Sequence, residues 1–165
     1  MHTTDPKIET RTAQPTIGIR TRTPHQNLST VIPQLLEETE AWLLEQGAAL
    51  KHTPFIRYHV IDMEGEMDIE VGWPVDAPLS ANGRVIAGEI PAGRYASLIY
   101  TDVTKGIEGN GVLIGWAEKQ GLRWDAWDVS EGHAFAGRFE FFIDGPDDDP
   151  DPTNWRTEVT IKLVD

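Results

Sequence analysis

The stretch RFEFF, Arg138–Phe142, sets a glutamate between phenylalanines. Strand side chains alternate between faces, so Phe139, Phe141 and Ile143 share one face and Arg138, Glu140, Phe142 and Asp144 the other. The first face reads as ordinary core, packed against helices. The second sets a carboxylate beside a phenylalanine, which is costly if that face is dry. A partly desolvated carboxylate in an aromatic groove can attract a lipophilic cation or act as a general acid or base. The plain alternative is a wet strand face on which Glu140 pairs with Arg138 or another neighbour.

A second polar group belongs with it. Aligning RYHVID (57–62) with FEFFID (139–144) sets Tyr58 opposite Glu140. A groove between two similar halves would bring both side chains together. Aromatic residues would supply contact area, by stacking and cation–π contact worth on the order of 1 kcal/mol each. Phe142, Trp116, Trp73 and Trp127 are the candidates. Trp42 reads as helix core. Trp124 and Trp127 lie in loop-like sequence and could form a lid.

Other chemistries find little support. There are no cysteines, which removes disulfides, thiolate zinc sites and cysteine nucleophiles. His25, His52, His59 and His133 lack metal-ligand spacing, so no metal is expected. GIEGNG (106–111) lacks both the G-x-G-x-x-G order and the Walker lysine, and no serine sits in a G-x-S-x-G elbow. The acidic stretch DGPDDDPDP (144–152) departs from the EF-hand pattern and reads as a solvated loop. No cofactor is expected. The net charge of -13 argues against direct nucleic-acid binding and is compatible with cationic ligands. With no signal-peptide core and no membrane-length apolar run, the expected setting is the cytoplasm.

The elements must position Glu140 and Tyr58. Leu28, Val31, Ile32, Leu35, Leu36, Trp42 and Leu43 recur at helical spacing, which predicts a helix over 27–47. A weaker, glycine-rich helix is expected over 107–121, with Leu113, Trp116 and Ala117 on its buried side. Strands are expected at 7–23, broken at Pro15, and at 54–62, 67–75, 83–90, 93–102, 137–144 and 155–163. Residues 124–136 read as a loop. The two helices end WLLEQG and WAEKQG, and each lies between one strand and two more. This predicts an internal duplication, strand-helix-strand-strand repeated in tandem. The fold class is α+β, an antiparallel sheet with both helices on one face and a central cleft. Residues 1–6 read as a flexible leader, and 7–165 as one domain with repeats near 7–80 and 83–165.

The ordered set IGIRTRTP, FIRYH, DIEVGWPV, GEIPAGRYASLIYTD, GWAEKQG, GRFEFFIDGP and WRTEVTIKL resembles the GyrI-like small-molecule-binding domain. This is also the effector-binding domain of several bacterial multidrug-responsive transcription activators. The resemblance implies a tandem fold around a central pocket. A glutamate in the penultimate strand, here Glu140, would meet lipophilic cationic drugs, and Tyr58 matches a pocket tyrosine of the first half. Some relatives resemble hydrolases that open reactive cyclopropane rings of alkylating natural products, which would make Glu140 and Tyr58 catalytic. Others are named for inhibiting DNA gyrase, which suggests a protein partner for the acidic surface. The chain holds no helix-turn-helix segment, so a stand-alone small-molecule binder is the expected role. The family's Gly-Pro-Tyr-type stretch is replaced by TDVTKGIEG, which leaves the pocket rim and ligand choice open. The sequence does not disclose the oligomeric state.

Overall fold

Apolar residues alternating along most of the chain, interrupted by two helical stripes, produce thirteen elements. The computed structural model describes residues 1–165. The strands are β1 (His2–Thr3), β2 (Lys7–Arg11), β3 (Gln14–Pro24), β4 (Phe55–Ile61), β5 (Glu66–Pro74), β6 (Val85–Ile90) and β7 (Gly93–Thr101), followed by β8 (Ala126–Val129), β9 (Gly132–Phe135), β10 (Arg138–Phe142) and β11 (Arg156–Lys162). The helices are α1 (Leu28–Glu45) and α2 (Gly106–Lys119). No helix is long and apolar enough to cross a membrane.

Strand-helix-strand-strand occurs twice, as β3-α1-β4-β5 and as β7-α2-β10-β11, the second interrupted by β8 and β9. All pairings are antiparallel, in the order β1-β7-β11-β10-β4-β5-β3-β6, with β2 also on β7. The two halves meet where β4 pairs with β10.

The sheet curls because its ends are tied together. Flat, β7 and β6 would lie roughly 29 Å apart. In the chain only Pro91 and Ala92 separate them, a span of roughly 11 Å at most. The tie is a long ribbon. Arg11 faces Gly93 across β2–β7, and three residues on, Gln14 faces Ile90 across β3–β6. The register survives the break in both strands. Inside the curl, Phe139 and Phe141 pack with Phe55, Ile90 and Tyr95.

Both helices cover the opposite face. Helix α1 lies on β3 and β5, over Ile17, Ile19, Ile69 and Val71. Helix α2 lies on β7 and β11, over Leu98, Val159 and Ile161. This is the face that carries Glu140. The expectation that Phe139 and Phe141 pack on the helices is therefore corrected: they fill the concave side, and Glu140 shares its side with the helices.

Two local expectations also change. Residues 124–136, read as a loop, contain the hairpin β8–β9, with β9 paired to β4. Its alternation is hard to see because most of its residues are solvent-exposed. The leader is not loose throughout: His2 and Thr3 pair with Thr101 and Tyr100.

Candidate functional site

One cross-strand row explains where Glu140 lies. Facing residues of an antiparallel sheet share a side. Reading pairs across six strands gives Ile19, Val71, Ile56, Glu140, Val159 and Leu98. Five are buried aliphatics and the sixth is a carboxylate, 8% exposed. The row passes beneath α1 at one end and α2 at the other. Between the helices it forms the floor of a cavity of about 720 Å³. Leu28 and Ile32 of α1, Ile107 and Ile114 of α2, Met67 and Phe142 give this cavity an apolar lining.

Two tyrosines hold the carboxylate. The Tyr58 hydroxyl donates to Glu140 Oε2 and the Tyr100 hydroxyl donates to Oε1, each at 2.6 Å. That length is typical of a hydroxyl on a carboxylate. Burial pushes the Tyr58 phenol well above its ordinary range, and the neighbouring Glu140 adds to the shift. Tyr100 shifts the same way, from burial first and Glu140 second. Both phenols therefore stay protonated and serve as fixed donors. No ion pair in the molecule includes Glu140.

The glycines of GIEGNG have a packing role here. A Cβ on Gly109 would lie 2.6 Å from the Tyr100 ring, and one on Gly106 would lie 3.3 Å from the Tyr100 hydroxyl. Their absence lets the start of α2 settle onto Tyr100. That contact fixes the hydroxyl against Glu140.

The structure brings Glu140, Tyr58 and Phe142 to the cavity wall. It does not bring the tryptophans there. Trp73 extends the Ile69–Val71 alternation and is buried in the core under α1. Trp116 packs against the core under α2. Trp127 lies on β8, 51% exposed and away from the cavity. Trp124 packs against the same core under α2 and bridges to Leu163, so it forms no lid. Tyr100 and Asn110 also line the cavity, with no signal singled out for them in the sequence, and so does Arg138, which the alternation places on the Glu140 face.

Residues 4–164 match the GyrI-like small molecule binding domain. The chain belongs to this family. Among solved structures, the EcmrR C-terminal domain is similar at 18% identity and a TM-score of 0.74, covering 97% of each chain. In a complex of EcmrR with DNA, the match has 19% identity and a TM-score of 0.75, and covers 96% of this chain but 57% of that one. This GyrI-like domain thus spans little more than half of that protein. SAV2435, solved with tetraphenylphosphonium bound, is similar at 13% identity and a TM-score of 0.62, covering 98% of this chain and 94% of the other. Likeness at these identities is one of fold. No curated protein matches the chain in sequence.

The tyrosine clamp predicts an asymmetry within this GyrI-like domain. The Tyr100 bond is buried, whereas that of Tyr58 is part-buried. Tyr100→Phe leaves a buried carboxylate oxygen without its donor and should cost about 2 kcal/mol of stability. Tyr58→Phe should cost less than half of that, because water can reach the vacated oxygen. Urea unfolding of both variants checks this. Equal losses would contradict it.

Proposed function

We propose that the cavity captures hydrophobic, aromatic cations, with Glu140 as their counter-charge. The observation that carries this reading is a buried carboxylate facing an apolar cavity with hydroxyl partners and no ion-pair partner. An unpaired buried charge is costly unless something offsets it. Two tyrosine bonds offset part of that cost. They occupy two of about four lone-pair positions on the carboxylate, and a bound cation would supply the missing charge. Tyr58 and Phe142 add aromatic contact. SAV2435 with its bound tetraphenylphosphonium supports the choice of ligand class for this fold.

Calorimetric titration tests the reading with two probes, tetraphenylphosphonium and the neutral triphenylphosphine oxide. The cation should bind at least roughly tenfold more tightly, a difference of about 1.4 kcal/mol. Equal affinities would overturn the proposal.

The alternative is hydrolytic opening of a reactive cyclopropane ring. There Glu140 would take a proton from water as the water oxygen bonds to a ring carbon; the ring C–C bond would break, its electron pair passing to the conjugated carbonyl oxygen, which a phenol would protonate. Burial raises the Tyr58 and Tyr100 phenols and weakens that donation, which is the reason for preferring a binder here. Incubation with a cyclopropane-bearing alkylating agent, followed by mass spectrometry, should give no water-added product beyond the uncatalysed background. Many turnovers per protein, lost in Glu140→Gln, would establish the enzyme instead.

A further inference from the structure

Arg138 shares a face with Glu140, two residues away along β10, so their backbone positions are roughly 7 Å apart. The two do not form an ion pair. The Arg138 side chain turns toward α2, where Nη2 donates to Asn110 Oδ1 at 2.9 Å. Its guanidinium lies 4.8 Å from the centre of the Phe135 ring. Asn110 is held in turn, its Nδ2 donating to Gly106 O at 2.8 Å. Arg138 and Asn110 both line the cavity.

The guanidinium is underused. Arginine carries five N–H donors and stays charged in proteins. The bond to Asn110 is its one side-chain hydrogen bond, and Nε is buried without an acceptor. No carboxylate lies within ion-pair range. Nε is sealed from the cavity, so a ligand oxygen would meet the Nη hydrogens that Asn110 leaves unused. The cavity thus holds two charges of opposite sign on one strand face that attract each other through space but form no direct ion pair. A simple cation satisfies only one of them.

We infer that Arg138, oriented by Asn110 and Phe135, forms an anion-accepting subsite of this cavity, so that the preferred ligand carries a carboxylate beside its cationic aromatic body. This deepens the proposed function and rests on it for the cationic half of the ligand. A guanidinium fork matches a carboxylate in two parallel bonds. Phe135, with the guanidinium carbon 4.8 Å over its ring, helps hold the fork in place.

The test uses two dyes that share one xanthylium cation, rhodamine 6G and its free acid, which differ in an ethyl ester against a carboxylate. Fluorescence polarisation reads the affinity of each. The wild-type protein should bind the acid at least roughly fivefold more tightly than the ester. Arg138→Gln should abolish that preference, read as the ratio of acid to ester affinity, while ester binding itself rises because a like charge has left the cavity. Asn110→Asp is a second, nearly isosteric variant. It places a carboxylate on Arg138 from within and should also abolish the preference, which guards against a folding defect in Arg138→Gln. Wild-type protein that binds the acid no more tightly than the ester overturns the inference, as does a preference that survives both substitutions. The cation reading is scored separately, by ester binding to wild type and its loss in Glu140→Gln. Acid binding without ester binding would sink that reading and leave the anion subsite standing.

Discussion

Glu140→Gln should weaken tetraphenylphosphonium binding roughly 30- to 150-fold while leaving triphenylphosphine oxide within about threefold. A unit charge about 5 Å from a carboxylate, at an effective dielectric near 20, gains about 3 kcal/mol. Net of desolvation, about 2 to 3 kcal/mol gives the stated range. The neutral probe keeps its apolar contacts and loses no charge pairing. The substitution should not lower the thermal midpoint. Glutamine fills the same volume, and its amide can accept from one tyrosine hydroxyl and donate to the other. It also removes a buried charge that no cation pairs, which tends to stabilise a fold when partners remain satisfied. Affinity and stability therefore separate in this variant, as expected where a site trades stability for function. Calorimetry and thermal unfolding of the same preparation check both halves. A lowered midpoint with equal loss of both probes would make Glu140 a structural residue.

That Glu140, Tyr58 and Phe142 reach one cavity follows from local rules. Alternation puts Glu140 and Phe142 on one side of β10; Ile56, not Tyr58, is the residue opposite Glu140, and Tyr58, two residues further along β4 on the same side, reaches the carboxylate with its hydroxyl. The row from Ile19 to Leu98 could not be read this way, since its members lie far apart in sequence and only the register joins them. Which side the helices cover is hidden for a related reason: Phe139 and Phe141 look like helix-packing core, and only the curl provides a second core for them. Tyr100 ends the run Ala96, Leu98, Tyr100 and reads as one more core residue. The available signal was Gly106 and Gly109, one turn apart at the start of α2, which mark a bulky neighbour. The tryptophans misled because aromatic type alone says nothing about which side a residue faces. The position of Trp73 two residues after Val71 already pointed to the core.

Gly72→Ala should be the most damaging single-methyl change, costing about 3 kcal/mol of stability. Gly72 pairs with Gly18 on β3 and with Phe55 on β4. A Cβ there would lie 2.0 Å from Ile17 O and 2.6 Å from the Gly18 Cα. These are backbone atoms, which cannot swing aside as a side chain can, so β3 and β5 must separate. Overpacking costs of 1–3 kcal/mol are usual where side chains can adjust, and a backbone clash belongs at the upper end. For a chain of this length, about 3 kcal/mol lowers the thermal midpoint by roughly 6–12 °C. Gly115→Ala is the matched control: nothing lies within 4 Å of its added Cβ, and alanine favours the interior of α2 by up to about 1 kcal/mol. The pair should therefore move the midpoint in opposite directions. The clash also reaches the site. Val71 precedes Gly72 and pairs with Ile56, which pairs with Glu140. Moving β5 tilts the row that carries the carboxylate, so Gly72→Ala should lose cation affinity and stability together, where Glu140→Gln loses affinity alone. Unchanged affinity in a destabilised Gly72→Ala protein would show that the row does not couple the fold to the site.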